Sequence, residues 1–512
     1  MTAVEGVGGA PSAPTSDKID ARVLKIAGVV VLAAIMSILD ITVVSVALPT
    51  FQHVFNTSYA NVAWTMTGYT LALATVIPLT GWAADRFGTK RLFMLALVLF
   101  VIGSALCSTA GNIGMLITFR VLQGLGGGML MPLGMTIMTH AAGPERVGRV
   151  MAILGVPMLL GPICGPILGG WLIEAASWRW IFLINLPIGI VALIYAALVL
   201  PADNPTPSES FDLVGMLLLS PGLALTLFGV SSIPEEHTVA AARVLIPAAV
   251  GLCLVAGFVW HALHRADHPL IDLHLFRNRQ MSIAVITMTL FAVAFFGAAL
   301  LFPSYFLQVR GERTLPTGLL MIPQGVGAML TMPLAGQLTD RIGPGKIVMS
   351  GIALIIPGMA VFTQVSSGTP YWVLLLALFV MGLGMGATMM PTFTAALQTL
   401  THASVARGST LMNILQQVAS SIGTATFSVV LTNQIQSHAL AGPAIAAQTD
   451  LKLAASLGHA GLHTGLHQAG QSFAATFVIG VVLTALCLVP AFFLPRHKPA
   501  RADAEAAPVL VH

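Results

Sequence analysis

Two residues of opposite charge stand alone inside long apolar stretches of this 512-residue sequence. Asp40 is the only charged residue of the segment SILDITVVSVALP, which runs from Ser37 to Pro49, and Arg120 interrupts a second apolar stretch. A buried charge is costly unless it is paired, so such residues are expected to have a partner or a task. A carboxylate close to a guanidinium can bind and release a proton, which makes this pair a candidate proton carrier.

The composition places both residues in a membrane. Hydrophobic residues make up 56% of the chain, charged residues only 8%, and the mean hydropathy is +0.89. A soluble domain carries about 25% charged residues. The Lys and Arg residues are scattered through short polar breaks and form no basic stripe with interleaved aromatics, which argues against nucleic acid as a partner. The composition therefore predicts an all-α membrane protein that crosses a bilayer many times.

Fourteen apolar stretches are long enough to cross a bilayer, which takes about 20 residues of helix. They are 26–49, 60–82, 91–110, 112–138, 147–173, 179–200, 212–231, 242–264, 281–305, 317–338, 346–366, 371–392, 405–432 and 471–494. Positive charges concentrate in cytoplasmic loops. With both termini cytoplasmic, seventeen of the 23 Lys and Arg residues lie in inside segments and five in outside segments, which favours this orientation.

Asp40 and Arg120 share a depth in this topology. Each lies about eight residues from the predicted outer end of its span, or about 12 Å at the helical rise per residue. No acidic residue lies within a span of the second half of the chain, so Asp40 is the strongest candidate for the proton carrier. We expect both side chains to face one aqueous central cavity. The alternative is a static buried ion pair that ties spans 1 and 4 together.

A short motif occurs twice and indicates an internal duplication. GWAADRFGTKR (Gly81–Arg91) follows span 2, and GQLTDRIGPGK (Gly336–Lys346) follows span 10. Spans 1–6 and 9–14 then form two equivalent halves, with spans 7 and 8 inserted between them. The predicted division is a cytoplasmic tail at 1–25, a six-helix bundle at 26–200, two inserted helices with linkers at 201–280, a second six-helix bundle at 281–495 with an outer loop at 433–470, and a cytoplasmic tail at 496–512.

Five motifs in the right order resemble the major facilitator superfamily and, within it, the fourteen-helix drug:proton antiporters of the EmrB/QacA type, and the resemblance covers nearly the whole chain. They are LDITVVSVALP in span 1, GWAADRFGTKR after span 2, RVLQGLGGG in span 4, GVPMLLGPICGPILGG in span 5 and WRWIFLINLPIG at the start of span 6. Ser45 departs from the family, which usually has Asn there, but it keeps a polar group. The resemblance implies the major facilitator fold, with two pseudo-symmetric six-helix bundles plus two inserted helices, and proton-coupled export by alternating access.

The span 5 motif contains a stripe of small residues. Gly161, Gly165 and Gly169 recur every four residues and let another helix approach closely, while two prolines soften the same helix. Ordinary helix packing would give the same stripe. The resemblance instead implies an antiporter motif at a helix interface that moves during transport, in an exporter rather than an importer. The motif residues are Gly155, Gly161, Pro162, Gly165, Pro166, Gly169 and Gly170.

The two repeated loops carry charges at helix ends. A carboxylate is stabilised at the N-terminus of a helix, and the duplication predicts which terminus each carboxylate meets. Asp85 should face the start of span 13 near Arg407. Asp340 should face the start of span 5 near Arg146 and Arg149. The resemblance implies that these contacts are a cytoplasmic latch, closed when the cavity faces outward, whereas charges that only set topology are the alternative. The predicted latch residues are Gly81, Asp85, Arg86, Gly88, Lys90, Arg91, Asp340, Arg341 and Arg407.

Polar and aromatic residues within the spans are candidates for a substrate cavity. They are Trp64, Tyr69, Gln123, Gln324, Asn413, Gln416 and Gln417. Aromatic faces favour flat and cationic ligands, and the 24 Met and 24 Phe residues supply an adaptable lining for varied substrates. With one membrane carboxylate, monovalent or neutral lipophilic compounds are expected rather than dications. Each of these side chains could instead face lipid or pack in the core.

The predicted outer loop contains three histidines spaced by four, His459, His463 and His467. On a helix they would share a face, and two such histidines can ligate zinc. No carboxylate or cysteine accompanies them, and the neighbouring glycines weaken a helix. A polar, mobile loop is therefore favoured over a metal site or a pH sensor, and we expect neither a metal nor a cofactor.

The leading interpretation is a proton-coupled exporter of lipophilic, often cationic, compounds. An exporter of lipids or hydrophobic metabolites is the alternative within the same fold. A membrane receptor or enzyme is disfavoured, because the sequence has no GxSxG, HExxH, P-loop or CxxC motif. The high Ala and low Lys content is typical of a GC-rich bacterial genome and so indicates a plasma membrane. The expected partners are protons, small lipophilic substrates and membrane lipids; no adaptor or oligomeric state is predicted.

Overall fold

The computed structural model of the chain describes residues 20–57, 59–143, 146–203, 211–233, 240–265, 269–398, 400, 404–448 and 451–496. Within its helices, the side chains of residues 59, 60, 159, 160, 162, 163, 166, 314, 315 and 451 are not described. The predicted tails at 1–25 and 496–512 lie outside these ranges, apart from residues 20–25 and 496.

The described residues are helical and contain no strand. The helices are α1 (Ala21–Val54), α2 (Tyr59–Phe87), α3 (Thr89–Ser108), α4 (Ile113–Ala142), α5 (Val147–Ala175), α6 (Trp180–Leu183), α7 (Asn185–Val199), α8 (Leu213–Ser231), α9 (Ala242–His264), α10 (Arg279–Gln308), α11 (Thr314–Leu320), α12 (Ile322–Ile342), α13 (Pro344–Phe362), α14 (Tyr371–Gly386), α15 (Met389–Leu397), α16 (Val405–Gln436), α17 (Ala441–Ala447), α18 (Leu451–Leu486) and α19 (Leu488–Phe492). A short 3-10 helix, Leu273–Arg277, precedes α10.

Thirteen helical segments of the described chain are long and apolar enough to cross a membrane. Helix α5 occupies the remaining predicted span. Spans 6, 10, 12 and 14 each consist of two consecutive helices, for example α6 with α7 and α14 with α15. Their outer surfaces carry large apolar side chains such as Leu198, which is 80% exposed, and Trp372, which is 69% exposed. Such surfaces are expected where lipid replaces water as the solvent, and the predicted all-α membrane fold is confirmed.

The helices pack in two similar halves. In the first half α1 packs against α4, α5 and α7, while α2 and α3 pack against α4. In the second half α12 and α13 pack against α14, and α10 packs against α16 and α18. The halves meet at two interfaces: in one, α5 packs on α12 and α15, and in the other, α16 packs on α2 and α4. The duplication relates these two interfaces, since α5 and α16 are the fifth predicted spans of their halves and α2 and α12 are the second.

The repeated loops also adopt the same backbone conformation. Gly88 has φ 95° and ψ 145°, and Gly343 has φ 88° and ψ 151°. Residues with a side chain rarely adopt this positive φ, so the glycine of each motif is needed to turn sharply from one span into the next. The two halves therefore share local geometry as well as sequence at this point.

The inserted pair, α8 and α9, packs beside the two halves, where α8 contacts α2 of the first half and α16 of the second. The Ser220 hydroxyl on α8 donates to the Thr75 carbonyl of α2 at 2.7 Å, and Gly222 of α8 approaches Val255 of α9 closely. Helix α9 packs on α8 and the short 3-10 helix and exposes apolar residues such as Ile246. The pair therefore borders the bundle without crossing it.

The segment 433–470, predicted as a polar loop, is largely helical. Helix α16 runs on to Gln436, α17 follows, and α18 begins at Leu451, with a break at Gly458, where φ is 62°. Gly465 of α18 lies against the backbone of Leu440, just before α17, so a glycine that weakens an isolated helix here allows close helix packing. Tertiary contact has overridden local propensity.

Candidate functional site

Asp40 and Arg120 form a buried ion pair inside the first half. The Arg120 guanidinium donates from Nη1 to Asp40 Oδ2, and the two residues are 0% and 1% exposed, respectively. Their depth was expected from the sequence, and α1 and α4 do bring them together. The Asp40 carboxylate is thus compensated, as a charge at this depth requires.

Two amides complete the hydrogen bonding of Asp40. Gln123 Nε2 donates to Asp40 Oδ1 at 2.8 Å, and Asn185 Nδ2 donates to the same oxygen at 3.1 Å. Both amides also donate to the Ser104 hydroxyl, at 2.6 and 3.2 Å. The carboxylate therefore joins α1, α4 and α7. Asn185 and Ser104 were not identified from the sequence, although Asn185 lies within the WRWIFLINLPIG motif.

Arg120 has further neighbours besides the carboxylate. Its Nε donates to the Thr65 carbonyl at 3.1 Å, and its Nη1 donates to Gln123 Oε1 at 2.7 Å. The guanidinium carbon lies 4.1 Å from the centre of the Tyr69 ring, a cation–π distance. Gln123 and Tyr69, predicted for the substrate cavity, thus lie beside the ion pair instead.

A cavity of about 580 Å³ lies between the two halves. Four of the seven residues predicted for a cavity line it: Gln324, Asn413, Gln416 and Gln417. Its other walls include Met131, Met385 and Met389, and Phe295 and Phe296. Trp64 lies away from this cavity and stacks on Phe228 of the inserted helix α8 at 5.5 Å between ring centres.

Asp40 and Arg120 do not line this cavity, in contrast to the prediction that both would face it. The residues of α1 that do are Ser37, Ile38, Ile41, Thr42, Ser45 and Val46. They recur with the helical repeat, so they share one face of α1. Asp40 lies off that face and points towards α4 and α7. The carboxylate is therefore adjacent to the cavity and separated from it by the wall.

The cavity lining is neutral. Among the described lining residues there is no Asp, Glu, Lys, Arg or His. Most side chains are apolar, and the polar groups are hydroxyls and amides. The Asn413 amide donates to the Ser409 carbonyl at 2.7 Å, and the Gln324 amide contacts Met385 Sδ at 3.2 Å. Such a lining suits lipophilic compounds with a few hydrogen-bonding groups.

The predicted pairing of Asp85 with Arg407 is found in the structure. Arg407 Nε lies 3.6 Å from Asp85 Oδ2, across the interface between α2 and α16. Gly81, one turn earlier, lies against the Arg407 backbone, where an added Cβ would be 3.4 Å from Arg407 Cα. Glycine at this position keeps the two helices close enough for the ion pair.

Asp340 caps the start of α5 in the same way. Its carboxylate accepts from the Gly148 amide at 2.9 Å and the Arg149 amide at 3.3 Å, with Arg149 Nε at 3.5 Å. The orphan amides at a helix start favour such an anion. Of the two arginines predicted near this carboxylate, Arg146 instead donates from Nε to the Ala142 carbonyl at 3.0 Å.

The remaining predicted latch residues lie in the two repeated loops, and some of them stabilise the loop between α2 and α3. The Lys90 and Arg91 amides donate to the two oxygens of Asp203, at 2.8 and 3.0 Å, and Lys90 Nζ donates to the Leu200 carbonyl at 2.8 Å. Asp203 was missed because it lies more than a hundred residues along the chain from the helix it caps. Arg86 and Arg341, which follow the two latch carboxylates, are both exposed. These positions fit a latch geometrically, and the latch function stays a prediction.

The small-residue stripe of α5 packs on α1. An added Cβ at Gly161 would overlap Ile38, one at Gly165 would overlap Thr42, and one at Gly169 would lie 3.2 Å from the Val43 carbonyl oxygen. The Thr42 hydroxyl also donates to the Gly161 carbonyl at 3.1 Å.

Other residues of the span 5 motif have different surroundings. Gly155 packs against Met332 and Met390 of the second half, and nothing lies within 4 Å of a Cβ added at Gly170. The side chains of Pro162 and Pro166 lie outside the described part of the chain. The stripe is thus a helix interface, and its role in transport stays a prediction.

The three histidines of segment 433–470 lie on α18. His463 and His467 border an outer pocket together with Arg310 and Tyr371. No group of three or more His, Cys, Asp and Glu side chains in the described chain is placed to hold a metal ion.

A helical membrane protein with two similar halves around a central cavity has the architecture of a transporter. The model of the Major Facilitator Superfamily matches residues 30–424, and the chain belongs to that superfamily. The superfamily inferred from the five motifs is thereby confirmed.

Named relatives and solved structures agree with this assignment. The chain is 50% identical over 507 residues to "Multidrug resistance protein B homolog" of Mycobacterium tuberculosis (strain ATCC 25618 / H37Rv), covering 96% of this chain and 93% of the relative. It is 29% identical over 416 residues to "Multidrug export protein EmrB" of Escherichia coli (strain K12), covering 80% of each.

Among solved structures it resembles the human organic anion transporter MFSD10 (TETRAN), with TM-score 0.61, 16% identity and coverage of 91% and 100%. It also resembles the proton:xylose symporter XylE, with TM-score 0.55, 15% identity and coverage of 91% and 96%. At these identities the likeness shows the fold alone.

Proposed function

We propose that this chain is a multidrug efflux transporter of a bacterial inner membrane, which exports lipophilic compounds in exchange for protons by alternating access. The names of its relatives in Mycobacterium tuberculosis and Escherichia coli support multidrug export. The observation that carries the proton coupling is the Asp40–Arg120 ion pair, buried directly behind the wall of a neutral cavity. The protonation of a titratable group in that position can depend on the side of the membrane to which the cavity opens.

The contacts between the halves favour an outward-facing state. At the predicted cytoplasmic end the cavity is closed by the Asp85–Arg407 pair and by Asp340 on the start of α5. The cavity walls run towards the opposite end, to Leu307 on α10 and Thr317 on α11. Opening the cytoplasmic end requires that Asp85 separates from Arg407 and that Asp340 separates from the start of α5. Because these two contacts are equivalent in the two halves, one movement of the halves can break both.

Protonation of Asp40 provides the coupling step. As an ionised carboxylate it accepts from Arg120, Gln123 and Asn185. A bound proton removes its charge and turns one acceptor oxygen into a donor, so the contacts from α4 or α7 weaken. Because α1 also forms the seam with the glycine stripe of α5, a change at Asp40 alters the helix that lines the cavity. Proton binding and the orientation of the cavity are thereby linked.

The neutral lining defines the substrate class. Apolar burial supplies most of the binding energy in such a site, at about 25 cal/mol for each Å² of apolar surface removed from water. The amides of Gln416 and Gln417 offer donors and acceptors, while the Phe295 and Phe296 faces can accommodate a delocalised cation. Neutral lipophilic compounds and monovalent lipophilic cations both fit, whereas dications lack counter-charges in the described lining.

A transport assay in proteoliposomes tests this function. The purified chain is reconstituted with an acidic lumen, and uptake of one neutral and one monocationic lipophilic dye is followed while lumenal pH is recorded. We expect dye accumulation accompanied by proton loss from the lumen, both abolished when nigericin collapses the pH gradient. Dye movement that ignores the gradient would refute proton coupling.

The same apolar cavity also favours a second candidate, an exporter of lipids or hydrophobic metabolites. Fluorescent lipids should then be translocated by the reconstituted chain and should compete with the dyes. Dye transport that is unaffected by a large excess of such lipids would exclude this candidate.

A further inference from the structure

The proposed proton carrier has no direct access to the cavity. Asp40 is 1% exposed and absent from the cavity walls, so a proton that reaches it must first cross the wall. The cavity wall beside it is formed by Ser37, one helical turn before Asp40 on α1, and by Gly127 on α4. Tyr69 of α2 touches both the ion pair and this part of the wall.

Tyr69 contacts the two sites with different parts of its side chain. Its ring lies over the Arg120 guanidinium at 4.1 Å. Its hydroxyl reaches Gly127, where an added Cβ would lie only 2.5 Å from Tyr69 Oη. Gly127 itself lines the cavity. The absence of a side chain at Gly127 therefore leaves the phenol hydroxyl directly behind the cavity surface.

The Tyr69 hydroxyl is buried without a hydrogen bond of normal geometry. The residue is 1% exposed, and its oxygen has no hydrogen-bond partner within the described chain. The Ser37 hydroxyl, which lines the cavity, is the polar group beside the Tyr69 hydroxyl and is placed to pair with it. A buried hydroxyl without a partner costs stability, so this hydroxyl is expected to find a partner in another state of the protein.

We propose that the Tyr69 hydroxyl, together with Ser37, is the gate through which protons pass between the cavity and Asp40. The proposal rests on the proton coupling proposed above. A hydronium ion that enters the cavity from the acidic side gives a proton to the hydroxyl pair and becomes water, and the pair gives one of its own protons to the Asp40 carboxylate. Each hydroxyl accepts one proton and donates one, so neither changes charge, and the net transfer is from hydronium to Asp40.

The geometry explains why this gate would be selective. The Tyr69 ring covers the guanidinium of Arg120, so a cationic substrate in the cavity does not meet that charge directly. A hydroxyl can pass a proton by exchanging hydrogen bonds, whereas a drug or a metal cation cannot cross the wall in this way. The carrier can thus load and release protons while remaining sealed from the substrates.

Removing one hydroxyl tests the gate. Tyr69→Phe keeps the ring over Arg120 and deletes only the oxygen, and Gly127→Ala pushes the same hydroxyl from its position by overlap. Tyr195→Phe is the matched control, since it removes the hydroxyl of a second tyrosine in the same half, which is partly buried and contacts Gly28 away from the cavity. All variants are reconstituted at matched density beside the wild type and Asp40→Asn.

Four measurements separate a gate from a packing role. Dye binding and dye-for-dye exchange need no net proton movement, so both should stay at wild-type level in Tyr69→Phe. Transport driven by a pH gradient should fall by about tenfold to a hundredfold, on the scale of a lost acid–base group. Because proton delivery then limits the rate, the pH profile should move to lower pH by about one unit for each tenfold loss.

The outcomes are distinct. Gradient-driven transport and a pH profile equal to those of the wild type in Tyr69→Phe would overturn the gate while leaving Asp40 as carrier. Equal losses of binding, exchange and driven transport would also overturn it, because they indicate a packing role. If wild-type transport ignores the gradient and Asp40→Asn behaves identically, proton coupling itself fails, and the gate fails with it.

Discussion

The substitution Asp40→Asn separates a proton carrier from a static ion pair. Asparagine keeps the size of the side chain and one oxygen acceptor, so the packing of α1 against α4 should survive. It cannot bind and release a proton near neutral pH. In place of one acceptor oxygen it presents an NH2 group, and this group must face either the Arg120 guanidinium or the Gln123 and Asn185 amides, all of which donate to Asp40.

The cost to stability follows from these contacts. Removing one member of a buried ion pair costs about 3–5 kcal/mol when the remaining charge is left without partners. Arg120 keeps the Gln123 oxygen at 2.7 Å, the Thr65 carbonyl at 3.1 Å and the Tyr69 ring at 4.1 Å. We therefore expect a loss of about 2–3 kcal/mol, below the full penalty, because the guanidinium is still solvated by the protein.

The assay compares well-folded Asp40→Asn with the wild type at equal reconstitution. Asp272→Asn serves as the control, because Asp272 is a partly exposed carboxylate far from the ion pair in sequence and absent from the cavity walls. We expect gradient-driven export to be abolished in Asp40→Asn, with dye binding and dye exchange retained. Wild-type export rates in the folded Asp40→Asn protein would eliminate Asp40 as the carrier and support the static ion pair.

Three further predictions address the latch, the seam and the topology. Asp85→Asn should remove the partly exposed ion pair with Arg407 and shift the conformational equilibrium towards opening of the cytoplasmic end by about 0.5–1 kcal/mol, or two- to fivefold. Distance measurements between spin labels on α2 and α16 would detect this shift, and an unchanged distance distribution would contradict the prediction. Gly165→Leu should prevent α5 from packing on α1 and lower the melting temperature, whereas Gly170→Ala places its methyl group in open space and should leave the melting temperature unchanged. Equal melting temperatures of the two variants would contradict the close packing of α5 on α1. A cysteine introduced at the exposed Phe87, in a chain lacking its native cysteines, should react with a membrane-impermeant thiol reagent only from the cytoplasmic side, and labelling from outside would overturn the orientation.

The sequence alone determined much of the architecture. Apolar length predicts the spans because a bilayer demands about 20 helical residues whatever their neighbours are. The repeated GxxxDRxG loops predicted the duplication, and with it the pairing of Asp85 with Arg407 and of Asp340 with the start of α5. These inferences succeed because each depends on local composition or on symmetry, neither of which requires side-chain packing to be known.

Only the tertiary structure decided which way the functional side chains point. Asp40 shares its depth with Arg120, as predicted, but it lies off the face of α1 that lines the cavity, and depth in a membrane carries no information on that rotation. Asn185 and Asp203 reach their partners across more than a hundred residues of chain, so no local pattern marks them. The segment 433–470 became helical because α17 and α18 pack on each other, which an isolated glycine-rich stretch does not reveal. The membrane spans and the duplicated loops can thus be predicted along the chain, because they depend on the solvent and on duplication. The orientation and partners of the functional side chains depend on contacts between distant helices, and these contacts form only when the helices pack.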